Sequence, residues 1–90
     1  MYYEWDDAKN AANFKKHGMY FDAVFSADWG SARIAEDTRI DYGEARFQAY
    51  LFISKRLHVV VYAKRKNARR IISVRKANRR ERKLYAQASH

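Results

Sequence analysis

Alternating apolar and polar residues predict three consecutive β-strands in the second half of the chain, at residues 46–54, 57–64 and 70–75. The first has an apolar residue at every second position from Phe47 to Ile53. Short connections between the strands favour an antiparallel sheet. The apolar faces expected of the second and third strands are Leu57, Val59, Val61 and Ala63, and Ile72 and Val74.

Helix start and stop signals predict an α-helix near each end of the chain. Asp6 is a good N-cap and Gly18 supplies a left-handed C-cap, so the first helix should lie between them. Asn78, followed by Glu81, is a variant of the capping box and should start a second helix that runs to about residue 87. The pattern indicates an α+β fold, an antiparallel β-sheet with N-terminal helices packed on one face and a C-terminal helix. Further expected elements are a strand at 2–5, a short helix at 20–27 and a strand at 31–36.

The other face of the predicted sheet mixes cationic and aromatic side chains. This mixture suits single-stranded RNA, because cations meet phosphates and aromatic rings stack on unpaired bases. Tyr50 and Tyr62 have an alternative role, which is to fill a second small core beneath the C-terminal helix. The residues expected on this face are Arg46, Gln48, Tyr50, His58, Tyr62, Lys64, Ser73 and Arg75.

The positive charge is concentrated at one end of the chain. Of the formal net charge of +9, residues 1–62 contribute almost nothing, with eight Lys or Arg and nine Asp or Glu. Residues 63–90 carry eleven Lys or Arg and a single acid, Glu81. Such a distribution favours a polyanionic partner, most commonly nucleic acid, although a solvated basic tail is the alternative. The side chains expected to hold RNA are Lys16, Tyr62, Lys64, Arg70, Arg79 and Arg80.

Several classes of protein are disfavoured by composition. Ninety residues are expected to form one domain, spanning 1–90. The absence of cysteine excludes disulfides, and three scattered histidines offer no metal-binding spacing, so no cofactor and no metal site are expected. The apolar runs are far shorter than the roughly 20 residues of a membrane span, and the acidic, aromatic N-terminus is unlike a secretory signal. The expected location is therefore the cytoplasm, without membrane contact.

Metal-free cleavage of RNA needs few protein groups, because the ribose 2′-hydroxyl is itself the nucleophile. The protein must align the phosphate, neutralise developing charge and move protons. Candidates for the charge are Arg46, Arg75 and Lys76. Glu81 and Tyr85 share one helix face and are candidates for proton transfer, as is His17, which has a suitable unperturbed pKa. Helix capping or ion pairing is the alternative for Glu81, and helix capping for His17.

A set of motifs in a fixed order resembles the BrnT family of toxins from type II toxin–antitoxin pairs, over residues 5–85. The matching positions are Trp5-Asp6, Lys9, Asn13, Lys16-His17-Gly18 and Phe21, then Gly43-Glu44-Ala45-Arg46 and Val59-Val60-Val61-Tyr62, and finally Arg70-Ile71-Ile72-Ser73-Val74-Arg75-Lys76-Ala77, Arg80-Glu81 and Tyr85. The resemblance implies a RelE/ParE-like fold and a metal-independent ribonuclease that inhibits translation. It also implies a cognate BrnA-like antitoxin of the ribbon-helix-helix type, and contact with operator DNA only through the antitoxin complex.

The chain departs from the family pattern at a helix start and a hairpin. Asp7 stands where proline is common, and the connection at residues 54–57 is short and lacks the usual glycine. Two other functions remain compatible with the residues alone. One is a non-catalytic nucleic-acid-binding module, and the other is an antitoxin-binding module whose basic face meets an acidic segment; either would act in operon autoregulation.

Overall fold

A computed structural model describes residues 2–88, which form a five-stranded sheet with helices at its edge and on both faces. The strand order is β1-β5-β4-β3-β2, antiparallel throughout except for the parallel pairing of β1 with β5. No helix within these residues has the length and apolar character needed to cross a membrane. The elements are β1 (Tyr2–Glu4), α1 (Asp7–His17), a 3₁₀ helix (Phe21–Ser26), β2 (Ala27–Asp37), β3 (Arg46–Ile53), β4 (Arg56–Arg65), β5 (Ala68–Lys76) and α2 (Arg79–Ala88).

The predicted helix ends are confirmed. The Asp6 carboxylate accepts the Lys9 backbone N–H at 3.0 Å, and Gly18 adopts φ 73° while its N–H donates to the Phe14 carbonyl at 2.7 Å. The expected short helix near residues 20–27 is the 3₁₀ helix. The strand expected at 31–36 is longer, because β2 begins at Ala27 and passes through an irregularity between Asp28 and Arg33.

A two-residue turn joins β3 to β4. Ser54 and Lys55 both have positive φ, 49° and 67°, as a tight hairpin between right-twisted strands requires. Neither is a residue type that favours this conformation, so register must come from strand packing rather than from turn chemistry.

The main core lies between one sheet face and the 3₁₀ helix. Phe21 and Val24 from the 3₁₀ helix pack on this face together with side chains from β3, β4 and β5. The opposite side is called the open face below. The buried sheet residues of the main core are Ala49, Leu51, Ile53, Val60, Tyr62, Ile71 and Val74.

The face predicted for β4 is wrong. His58, Val60 and Tyr62 stand directly opposite Leu51, Ala49 and Phe47 of β3, so they point to the core. His58 is 4% and Tyr62 1% exposed, and neither lies on the open face. Both faces of this central strand are covered, so residues 59–61 are all apolar. Without alternation in this stretch, the sequence pattern does not show which residues face the core.

A second, smaller cluster covers part of the open face beneath α2. It consists of Leu57, Val59 and Ala77, with Tyr50 and Tyr85 packed against it. The alternative considered for Tyr50, a place in a small core under the C-terminal helix, is therefore confirmed. The same contacts fix α2 over one end of the open face.

The free edge of β5 is closed by two elements in turn. β1 pairs with residues 68–70, and α1 lies beside the next part of the strand. Asn13 there takes the place of a neighbouring strand: its amide donates to the Val74 carbonyl at 2.8 Å and accepts the Val74 N–H at 3.2 Å. A third bond, to the Met19 carbonyl at 2.9 Å, ties the segment after α1 to the same side chain.

Candidate active site

The cross-strand register arranges the open face in rows of side chains. Arg75 of β5 lies in a row with Val59, Tyr50 and Arg33, and Ser73 lies in the next row. A third row contains Arg46 and Arg70. Four residues separate the rows of Arg75 and Arg46 along the strands, which is about 13 Å. The open face therefore carries arginines at both ends, and alternation predicted Arg46 and Arg75. The face expected for Ile72 is wrong: the pairing of β4 with β5 shifts by one residue between Val61 and Tyr62, so that Ile71 and not Ile72 lies in the main core.

Arg75 is held by Glu81 from the first turn of α2. Nη1 and Nη2 donate to the two carboxylate oxygens, each at 2.8 Å, in a bidentate ion pair. This hydrogen bonding lowers the pKa of Glu81 and raises that of Arg75. Glu81 also accepts the Asn78 backbone N–H at 2.9 Å while its own N–H donates to Asn78 Oδ1 at 2.8 Å. The capping box predicted from the sequence thus also fixes a guanidinium on the open face.

A cleft of about 250 Å³ opens beside this pair. Tyr85 lies in it, with its hydroxyl donating to the Ser31 carbonyl and its ring 5.5 Å from the Arg33 guanidinium carbon. Tyr50 forms another wall, and its hydroxyl donates to Gln48 Oε1 at 3.0 Å. The α2 cleft, as it is called below, is lined by Arg33, Tyr50, Glu81, Leu84, Tyr85 and Ala88.

Arg33 belongs to the α2 cleft but was not singled out from the sequence. Arg33 lies on the open face because it pairs with Tyr50, and the sequence does not reveal this pairing unless the register between β2 and β3 is known. Because β2 is irregular between Asp28 and Arg33, the alternation around this position did not reveal its face.

At the far end of the open face, Arg46 is covered by an aromatic ring. Its guanidinium carbon lies 3.9 Å from the centroid of Tyr42, and its buried Nε has no hydrogen-bond partner among residues 2–88. Asp37 in the same row is bound by Arg39 through two side-chain bonds of 2.9 Å. These bonds hold the pKa of the Asp37 carboxyl well below its usual range.

His17 and Lys16 lie outside the α2 cleft, on the other side of Arg75. Together with Lys9 they line a cavity of about 240 Å³ between α1 and the edge of β5. Partial burial, Lys16 and Arg75 all lower the pKa of His17. The α1 cavity, as it is called below, is lined by Lys9, Ala12, Asn13, Lys16, His17, Ile72 and Ser73.

The other predicted site residues are dispersed. Lys76 stands opposite His58 and points away from Arg75, to the other side of the sheet. Lys64 is exposed on that same side, with its Nζ 5.5 Å from the Phe47 ring centroid. Arg70 is on the open face but pairs with Glu4 at 3.8 Å.

Tyr62 cannot stack on a base from its place in the core, which corrects the prediction of an RNA-binding role on the open face. Its ring packs against Phe47 and Trp29. Arg79 and Arg80 are exposed on the first turn of α2. Within residues 2–88, no three His, Asp or Glu side chains are grouped as metal ligands.

This arrangement is suited to stabilising an anion. Arg75 has more N–H donors than its bonds to Glu81 and to the Lys76 carbonyl use, so donors remain for a phosphate. Its guanidinium is fixed before any ligand arrives, which reduces the reorganisation required in a reaction. Tyr50 supplies an aromatic surface in the same row, and Arg33 a second cation.

Comparison with known proteins identifies the family of this chain. A model of the family described as "Ribonuclease toxin, BrnT, of type II toxin-antitoxin system" matches residues 5–81. The 1.1 Å crystal structure of the Brucella abortus ribonuclease toxin BrnT shares the fold, with a TM-score of 0.69 and 24% identity, over 88% of this chain and 100% of that one. No curated protein sequence matches. The chain belongs to the BrnT family of ribonuclease toxins of type II toxin–antitoxin systems, and RNA is its substrate and a cognate antitoxin its partner.

Proposed function

We propose that this toxin cleaves messenger RNA in the cytoplasm without a metal ion, using the ribose 2′-hydroxyl as nucleophile, and so inhibits translation. The reaction takes place at the open face, beside the α2 cleft. The observation that carries the proposal is the bidentate fixation of Arg75 by Glu81, which leaves a preorganised cation in the same cross-strand row as Tyr50 and Arg33.

Arg75 is assigned the main catalytic role, which is to stabilise the charge that develops on the phosphate. Glu81 is a positioning residue, because both of its oxygens are engaged and its lowered pKa makes it a weak base. Tyr85 borders the same phosphate position, and Arg33 is added to the set as a second cation. Arg46, about 13 Å away along the strands, is assigned to substrate binding.

The proposal is tested by incubating the purified chain with messenger RNA in EDTA and in magnesium, with and without translating ribosomes. The expected result is equal cleavage in both buffers. The fragments should end in 2′,3′-cyclic phosphate or 3′-phosphate, since attack by the 2′-hydroxyl leaves those ends. Loss of cleavage in EDTA, or ends bearing a 3′-hydroxyl, would mean that a metal-activated water is the nucleophile.

Variants of two arginines distinguish loss of a group at the reaction centre from loss of a positive charge elsewhere. Arg75→Ala should reduce cleavage by about 10²–10³-fold, the usual cost of removing a transition-state donor. Arg75→Lys keeps the charge but loses the bidentate pair, and should also be impaired. Arg56→Ala is the matched control, because Arg56 is exposed and lies on the other side of the sheet. Binding of RNA by all these proteins without new RNA ends would support a non-catalytic module instead.

A BrnA-like antitoxin of the ribbon-helix-helix type is part of the same proposal, with operator DNA bound only through the complex. The basic open face would be masked by an acidic antitoxin segment, which predicts fast, salt-sensitive association. Charge reversal at Arg75, which lies on this face, should then weaken both toxicity and antitoxin binding. If toxicity survives while antitoxin binding is lost, the open face is not the active site.

A further inference from the structure

The α1 cavity is not used by the function proposed above, although its lining is unusual. Lys9, Lys16 and His17 reach it from one helix, and Ser73 adds a hydroxyl from β5. No carboxylate and no Phe, Tyr or Trp ring is among the residues that line it. Such a lining offers mainly hydrogen-bond donors and positive charge, which suit a phosphate better than a base.

The walls of the α1 cavity are fixed by buried hydrogen bonds. Asn13, which is 7% exposed, joins α1 to both backbone groups of Val74. The helix backbone that carries Lys9, Lys16 and His17 is therefore fixed relative to β5. A site of this kind can accept an anion without paying to order the backbone around it.

The α1 cavity is also close to the proposed reaction centre. Ser73 lies two residues before Arg75 on the same strand and the same face, which is about 7 Å. The positive charge of Arg75 helps to lower the pKa of His17. Arg75 thus stands between the α2 cleft on one side and the α1 cavity on the other.

We propose that the α1 cavity is a second phosphate subsite, in which Lys9, Lys16, His17 and Ser73 hold an RNA backbone phosphate neighbouring the one that is cleaved. The inference rests on the proposed function, because it takes Arg75 to mark the cleaved phosphate. An acidic antitoxin side chain would have similar chemistry, but continuity with Arg75 along one strand favours the substrate backbone.

The test compares a long substrate with a dinucleotide. A dinucleotide has one phosphate, which must lie at the reaction centre to react, so it cannot also occupy the α1 cavity. The variant is Lys9→Ala/Lys16→Ala, and Lys15→Ala/Lys55→Ala is the matched control, since these exposed lysines line neither cavity. The thermal midpoint of each protein shows that it is folded.

The expected result is that the Lys9/Lys16 variant binds a short 2′-O-methyl RNA, which cannot be cleaved, about tenfold more weakly than the control does. The salt dependence of log Kd should become shallower by about 0.7, corresponding to one lost phosphate contact on a single strand. Cleavage of the RNA should fall through KM, while cleavage of the dinucleotide stays unchanged.

Other outcomes overturn either the proposal or the reaction on which it rests. An equal loss on the dinucleotide would place these lysines at the reaction centre itself. Unchanged RNA binding together with weakened antitoxin binding would assign the cavity to the protein partner. If the wild-type chain cleaves neither substrate but the variant still weakens binding of the 2′-O-methyl RNA, the subsite stands and the proposed reaction falls.

Discussion

Glu81 serves two elements at once. It caps α2 through Asn78 and orients Arg75 through its two carboxylate oxygens. The cap accounts for the identity of the residue at the third helical position, but a glutamine would serve as well there. The requirement for a carboxylate comes from Arg75.

The two roles of Glu81, orienting Arg75 and capping α2, can therefore be separated by mutation. Glu81→Gln keeps an acceptor for the Asn78 N–H but loses one oxygen and the charge facing Arg75, so cleavage should fall about 10–100-fold through kcat. Asn78→Ala removes the cap and leaves the ion pair, and should lower the free energy of unfolding by about 1 kcal/mol without changing the rate. Equal rate losses in the two variants would mean that helix capping, not orientation of Arg75, limits the reaction.

His58 makes stability dependent on pH. Burial is the main cause that lowers its pKa, and Arg56 and Lys76 act in the same direction; the bond of Nδ1–H to the Arg56 carbonyl at 2.7 Å opposes them. Because the unfolded chain takes up a proton below about pH 6.5 and the folded one resists it, stability should fall as the pH drops below that value.

Thermal midpoints measured from about pH 8 to about pH 5 check this. His58→Gln keeps a donor for the Arg56 carbonyl but has no proton to gain, so its midpoint should change less over that interval than that of the wild type. Parallel curves for the two proteins would show that another group causes the loss in acid.

At the scale of elements, the sequence predicted those that have local end signals. The caps at Asp6, Gly18 and Asn78 are made by residues within one turn of the helix, so pattern alone located them. The face predicted for β4 was wrong because three successive valines show no alternation. Only the pairing with β3 decides which of them face the core. The hairpin at Ser54 was expected to be short, but not to adopt positive φ with these residues.

Asn13 attaches a whole helix to the sheet and has no local signal for that role. Asn13→Ala would leave the Val74 N–H and carbonyl without their partner at an edge that no strand covers. The expected loss in free energy of unfolding is about 2–4 kcal/mol, measured by urea denaturation. Asn10→Ala is a suitable comparison, since Asn10 accepts a single bond, from the Phe21 N–H at 2.7 Å, and should cost less. A loss of under about 0.5 kcal/mol for Asn13→Ala would show that α1 is held by packing alone.

At the scale of the molecule, the candidate site is assembled from residues far apart in the chain. Arg33, Tyr50, Arg75 and Tyr85 come from four elements, and their association follows from sheet order and from the position of α2. The charge run after residue 62 indicated a polyanion, and alternation placed Arg75 and Arg46 on one face. Neither could indicate that Arg33 joins them, because that depends on register. Lys76 diverges because neighbouring residues of a strand point to opposite faces, and this was missed because the strand was predicted to end at residue 75.

The same charge asymmetry predicts how RNA binding responds to salt. Binding of a short 2′-O-methyl RNA should weaken steeply as salt rises, since each phosphate contact releases counterions. If Arg75 touches one phosphate, Arg75→Ala should reduce the slope of log Kd against log salt by about 0.7, while Arg56→Ala leaves it unchanged. Each of the two substitutions removes one positive charge, so both have the same effect on the net charge of +9. Equal slopes in both variants would therefore mean that RNA binding depends on the overall charge and not on a cation fixed on the open face. A smaller slope only for Arg75→Ala would instead place a phosphate at the guanidinium that Glu81 holds.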